Sequence, residues 1–217
     1  DDVTEALALC GAAARRRGLE PLQEFQAAPG GVVAVIGPGL DGDLDLGVNR
    51  VPDEYRAEAS YLIAGAHRRS SQWDTAILWY KKNLNEFPAS LYSEAAAYEA
   101  LSCYSALNQE KELQSASQAF LAGFPRSPQA LNVHFLMAES CFKGKQYAEA
   151  YTHYDEVLQK TDNAELKTDV AYKKAWCLQS IGEKAKAQKA FLEFADAYPK
   201  HENTDDALYL AATLAAD

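Results

Sequence analysis

Gly37, Gly39 and Gly42 form a literal G-x-G-x-x-G directly after the apolar run VVAVI (32–36). In a dinucleotide site such glycines turn the chain tightly and let a helix N-terminus meet a pyrophosphate. That chemistry needs a helix next. Here DLDLGVNRVP (43–52) follows, with no helical pattern and with acidic side chains where a phosphate would approach. The βαβ unit of roughly 30 residues that frames such a site is also missing, so no nucleotide cofactor is expected. Asp41, Asp43 and Asp45 have the spacing of a calcium loop, but an EF-hand then needs Gly at the sixth place and Glu at the twelfth. Those places hold Leu46 and Pro52, and the segment reads as a solvated acidic loop.

The remaining reactive side chains are scattered. His67, His134, His153 and His201 stand singly in the sequence, with no H-E-x-x-H, no G-x-S-x-G and no Cys–His arrangement in a supporting motif. His134 is flanked by apolar residues on a helical stretch and reads as a packed histidine. Cys103 and Cys177 are 74 residues apart and Cys141 lies between them, without C-x-x-C spacing. Packed helices run ~8–10 Å apart, whereas a disulfide wants Cα atoms within ~7 Å. The three thiols are therefore expected to be buried small apolar groups. Cys10, in LALCG, resembles a lipoprotein box only superficially, because Leu9 stands where a small residue is needed. Neither catalysis nor a metal is expected.

What positions these residues is a repeat. FPAS (87–90), FPRS (124–127) and YPKH (198–201) recur at 37 and 74 residues, and self-similarity at a period of roughly 20–50 residues marks a solenoid. In steps of 37, one column holds Tyr61, Tyr98, Phe135, Tyr172 and Tyr209. A second holds Ala64, Leu101, Ala138, Ala175 and Ala212, small enough, Leu101 apart, for close helix crossing. A third holds Ala76, Leu113, Ala150 and Ala187. A fourth, one helical turn on, holds Tyr80, Ser117, Tyr154 and Phe191. The turns are polar, with Gly144 and Gly182 in two of them and Asn108 near the equivalent place in another. Within SQWDTAILWYKKNL (71–84) the spacing predicts a buried stripe of Trp73, Ala76, Ile77, Tyr80 and Leu84. Pro88, Pro125 and Pro199 stop the second helix of their units, since proline lacks the amide donor and clashes with the preceding turn. Ser127 before Pro128 reads as an N-cap with proline at the first helical position.

These units resemble tetratricopeptide repeats. GKQYAEAYTHYDEVL (144–158) and IGEKAKAQKAFLEFADAYP (181–199) match the family pattern well, and SQWDTAILWYKKNLNEFP (71–88) matches with Trp for Tyr. NQEKELQSASQAFLAGFP (108–125) departs from it at Leu113 and Ser117, and the third unit has Asp162 where proline is expected. The resemblance covers residues 57–201, with residues 207–217 as a capping helix. It implies an all-α, right-handed solenoid of about four helical hairpins over 53–217, nine helices in all, whose first helices line a concave face. The constant 37-residue period is similar to repeats of bacterial cell-envelope proteins, those of the Tol-Pal system and of outer-membrane barrel assembly. It implies a periplasmic or envelope location.

Residues 1–52 differ in composition: no Lys occurs before Lys81. DDVTEALALCGAAARRRG reads as a helix, VVAVI as a strand with no obvious partner, and the glycine-rich acidic stretch as a loop. A net charge of −10 argues against nucleic acid, and no run approaches the ~18 apolar residues of a membrane span. The expected function is thus a scaffold for a protein partner, with no cofactor and no enzymatic activity. Its contact surface would be Tyr61, Tyr98, Phe135 and Tyr172, joined by Arg68, Phe142 and Trp176, because aromatics with few rotatable bonds make anchors at low entropy cost. Trp176 and Phe142 are expected to be the more exposed, while the aromatic column could equally be core. The alternative is a subunit that assembles with itself through repeat stacking and the VVAVI arm.

Overall fold

A computed structural model describes residues 24–28, 32–36 and 53–216. The helix expected over 1–18, Cys10, the glycine motif and the three loop aspartates lie outside the described residues. The chain forms two compact units, residues 1–108 and 109–217. This division falls inside the repeats, at the Asn108 turn, away from the compositional boundary at residue 52.

In the first unit, β1 (Glu24–Ala28) pairs antiparallel with β2 (Val32–Ile36), Phe25 opposite Val35 and Ala27 opposite Val33. VVAVI is therefore not partnerless. Its partner EFQAA is too mixed in polarity to announce itself as a strand, yet Pro29, Gly30 and Gly31 between the two are hairpin-turn residues. Helices α1 (Asp53–Arg69), α2 (Trp73–Glu86) and α3 (Ser93–Ala106) follow. The second unit holds α4 (Glu110–Gly123), α5 (Ala130–Lys143), α6 (Tyr147–Lys160), α7 (Ala164–Ser180), α8 (Lys184–Ala197) and α9 (Thr204–Ala216). The described residues thus hold the nine helices expected, and within each unit the helices pack on their sequence neighbours.

The turn from first to second helix of each unit is set by one left-handed residue. These are Ser71 (φ 58°), Asn108 (φ 53°), Lys145 (φ 60°) and Gly182 (φ 85°), each 37 residues from the next. Around Lys145, its own N–H donates to the Phe142 carbonyl (3.1 Å) and the Gln146 N–H to that of Cys141 (2.8 Å). Gly182 and Ser71 are held the same way, a Schellman closure that satisfies the last carbonyls of the helix. Gly144, read from sequence as the turn glycine, has φ −72° and needs no glycine. The strained residue is its neighbour, a lysine. An L-residue in this region costs about 1–2 kcal/mol, partly offset by the entropy glycine loses on folding. Lys145→Gly should accordingly raise stability by about 0.5–1 kcal/mol, seen as a higher urea midpoint, while Gly144→Ala should not lower it comparably. Equal effects at the two positions would refute this placement of the strain.

The second helices stop where the aromatic-Pro pairs lie. Phe87, Phe124 and Tyr198 share φ near −130° and ψ between 54° and 59°, and each still donates its N–H four residues back. Proline acts here through its predecessor, which it pushes out of the helical region. The residue two after proline then turns the chain. The Ser127 Oγ accepts from Gln129 N–H (3.0 Å), Ser90 Oγ from Tyr92 N–H (3.3 Å) and His201 Nδ1 from Asn203 N–H (3.2 Å). Ser127 is thus not the cap of an α-helix starting at Pro128; it holds a separate turn, and α5 begins at Ala130. In the third unit, which lacks the proline, Thr161 is extended (ψ 138°) and Asn163 caps α7 by accepting from Leu166 N–H at 3.1 Å.

The core follows the columns. Ala76, Leu113, Ala150 and Ala187 are at most 4% exposed, and Tyr80, Ser117, Tyr154 and Phe191 at most 1%. In the second unit Ala138 packs in one cluster with Ala150 and Tyr154, and Ala175 in another with Ala187 and Phe191. The α2 stripe differs from expectation at one end. Leu84 is only half-buried, while Asn83 is fully buried, in the column that otherwise holds Phe120, Val157 and Phe194. Cys103, Cys141 and Cys177 are buried free thiols, as the spacing implied.

Candidate functional site

All seven predicted contact residues are half-buried. In the first unit, Tyr61 of α1 stacks at 5.4 Å on Tyr92 and 6.1 Å on Tyr80. Arg68, two turns on, places Nε 3.0 Å from a carboxylate oxygen of Glu99 on α3, close enough to pair but misaligned for a hydrogen bond. Arg68 also hydrogen-bonds Tyr80. Burial, followed by the Glu99 charge, pushes the Tyr80 and Tyr61 phenols up, so both stay neutral donors. Tyr98 lies on α3, on the same register as Tyr61.

In the second unit, Phe135 and Phe142 project from α5 and Tyr172 and Trp176 from α7. The Lys173 ammonium of α7 lies 5.9 Å from the Phe135 ring centre and 2.7 Å from Glu139 Oε1 of α5. The same carboxylate oxygen accepts from the Tyr154 hydroxyl at 2.6 Å. Tyr172 packs on Phe194 (5.3 Å) and Phe191 (6.0 Å), and its hydroxyl donates to Asp206. Phe142 meets Tyr147 edge-on at 5.5 Å, and Trp176 meets Phe191 edge-on at 6.4 Å. The expectation that Phe142 and Trp176 stand exposed is therefore corrected: each uses one ring edge to cover a core cluster and keeps part of its surface in water. Of the aromatic column, Tyr209 alone is well exposed, at 67%. Glu99, Glu139, Lys173 and Asp206 complete these faces and were missed from sequence. They occupy no repeating column, so register could not point to them.

The histidines are also not all single. His134 of α5 and His153 of α6 face each other with Nδ1 atoms 3.0 Å apart and ring centres at 5.3 Å. Position 134 read as packed; its polar partner lay 19 residues away, at an offset no short motif covers. One proton fits between the two Nδ1 atoms, so charging both rings breaks the bond and sets two cations face to face. Burial lowers both pKa values. Glu156 opposes this at His134 while Lys160 reinforces it; at His153 the second ring reinforces it while Glu149 and Glu156 oppose it. Folded values below the unfolded ~6.5 mean that the stability contribution is complete above that pH and is lost as pH falls through the folded values. The urea midpoint should therefore fall between pH 7 and pH 5 by more in the wild type than in His153→Phe. Parallel pH profiles would refute it.

Chemically, these sites can hold and position but show no reactive centre. Burial pushes all three thiols up, Cys177 to about 12, which makes them poor nucleophiles. Among the described residues no three His, Cys, Asp or Glu side chains are placed to share a metal ion. No described helix is long and apolar enough to cross a membrane.

No protein-family model matches the chain, and no curated protein matches it. Solved structures do. The chain is similar to YrrB, described as a TPR protein with an unusual peptide-binding site, with a TM-score of 0.57 at 19% identity over 74% of this chain and 76% of that one. It is similar to MamA, with a TM-score of 0.59 at 17% identity over 74% and 82%. It also matches the apo form of RapI, with a TM-score of 0.57 at 14% identity over 77% of this chain and 50% of that one, and so spans half of RapI. The fold is that of a tetratricopeptide-type helical-hairpin solenoid.

Proposed function

We propose that this chain is a non-enzymatic scaffold that binds a protein or peptide partner on the first-helix faces of its repeats. The observation that carries the reading is the α5–α7 face. There four aromatic rings, Phe135, Phe142, Tyr172 and Trp176, are each fixed on one side by core or ion-pair contacts and open on the other. Rings already held in place lose little freedom when a partner covers them, which is what makes an aromatic anchor effective. In the first unit Tyr61, Arg68 and Tyr98 form the corresponding face. The peptide-binding site of the similar YrrB supports the choice of partner class. The net charge of −10 favours a protein over nucleic acid.

The constant 37-residue period supports a place in a bacterial cell-envelope assembly, in the periplasm or on a membrane through partners. Residues 1–52 would be a separate N-terminal arm. The test is capture of partners from envelope extracts on the immobilised full chain, followed by affinity measurement for Trp176→Ala and Phe142→Ala. A loss of roughly 30-fold is expected, corresponding to ~2 kcal/mol per anchor. Both rings also cover core clusters, so affinity is compared at a temperature where circular dichroism shows each variant fully folded. Unchanged affinity in both variants would remove this face from consideration.

A further inference from the structure

The 37-residue register treats α9 as the first helix of a fifth repeat, and the position that every earlier first helix buries is open on it. Ala64, Leu101, Ala138 and Ala175 are fully buried. In the second unit the cover for Ala138 and Ala175 is the second helix of the same repeat, through Ala150 and Tyr154 or Ala187 and Phe191. Their equivalent, Ala212, is exposed. So are Ala215, Leu208 at 47% and Tyr209 at 67%, while the opposite face of α9 is spent on α8 through Ala207, Ala211, Leu210 and Leu214. The open stripe at 208, 212 and 215, with Tyr209 beside it, has helical spacing. Acidic groups rim its start: Glu202, Asp205 and Asp206 are exposed, and no Lys or Arg follows Lys200.

We infer that this face of α9 is a docking surface for residues 1–18 of a second copy of the chain, laid antiparallel as a second helix would be. That segment carries Ala6, Leu9, Cys10 and Ala13 at helical spacing and then Arg15, Arg16 and Arg17, with Asp1, Asp2 and Glu5 at its start. Antiparallel docking brings the three arginines to Glu202, Asp205 and Asp206. Parallel docking would bring the acidic start there instead, so charge selects the orientation. Small residues on the arm leave room for Leu208 and Tyr209, as Ala150 and Ala187 leave room within the repeats. Within each unit helices contact their sequence neighbours, an open-ended stack that offers its last helix to another molecule. Arm to α9 is a heterologous contact, which propagates into rings or chains of subunits. The inference goes beyond the partner-binding reading and does not depend on it, since the Trp176 and Phe142 rings take no part.

Light scattering on the full chain across a concentration series tests it. Wild type is expected to gain mass with concentration. Tyr209→Ser with Leu208→Ser, and separately Arg15→Glu, Arg16→Glu and Arg17→Glu together, should each weaken assembly roughly tenfold or more with melting unchanged. Glu202→Lys with Asp205→Lys, which spares the Tyr172 contact of Asp206, should weaken it likewise. Placing these two lysines and the three glutamates in one chain should restore it. A wild type that stays monomeric overturns the inference. So does assembly that responds to Tyr209 and Leu208 but ignores the arginines, because another part of the second copy then covers α9.

Discussion

Ala187→Leu should destabilise the C-terminal unit by about 1–3 kcal/mol and Phe191→Ser by about 3–5 kcal/mol, yet the two together should cost clearly less than their sum. The reason lies one turn apart on α8. Ala187 is fully buried where the helix meets α7, and Phe191 fills the space one turn on, against Tyr172 and Trp176. A leucine at 187 has no room while the phenylalanine stays, and a serine at 191 leaves a void the backbone only partly closes. The second repeat contains the combined solution, Leu113 with Ser117, both buried in the same two columns. Large and small have changed places there, so the space between first and second helix is filled by the pair rather than by either residue. Residues in direct contact are the ones whose substitutions fail to add, by about 0.5–3 kcal/mol. Urea midpoints for the two single variants and the double variant give the coupling energy. A double variant as unstable as the sum of the singles would mean that the columns do not share one space.

That exchange also explains why the repeats were legible while the sites were only partly so. Register finds positions whose environment recurs: the buried alanines, the aromatics of the second helices, the prolines that displace Phe87, Phe124 and Tyr198 from helical geometry. It even located the left-handed turn, though by the wrong residue, because Gly144 looked suitable and Lys145 did not. What register cannot find is a contact made once. The Glu139–Lys173 pair, the Tyr172–Asp206 bond and the His134–His153 pair each join two positions whose equivalents in other repeats hold different residues. Half-burial of Phe142 and Trp176 had the same origin. Their exposure depends on Tyr147 and Phe191, which the columns treat as neighbours of other residues. The pairing of VVAVI with EFQAA escaped for a simpler reason, since a strand of Glu, Phe, Gln and two alanines carries little β-propensity of its own.

Asn83→Leu should raise the stability of the N-terminal unit by about 1–2 kcal/mol. Asn83 is fully buried in a column that elsewhere holds Phe120, Val157 and Phe194. Its amide nitrogen donates to the Ala57 carbonyl (2.6 Å) and the Ser60 hydroxyl (2.7 Å) across the α1–α2 contact. Its carbonyl oxygen has no partner. A buried acceptor without a donor carries a desolvation cost of about 1–3 kcal/mol, and leucine of similar size removes it while adding apolar contact. Nothing is orphaned by the change. The Ser60 hydroxyl already donates to the Ala57 carbonyl at 2.9 Å, so both former partners stay bonded to each other. Asn83→Asp makes the opposite case, since it places a charge where the amide donors were and loses both bonds to acceptors; it should destabilise by more than leucine stabilises. Thermal melts of the two variants with the wild type decide the matter. A lower melting temperature for Asn83→Leu would mean that the two amide hydrogen bonds outweigh the stranded carbonyl, and that the asparagine supports α1 against α2 rather than weakening the contact.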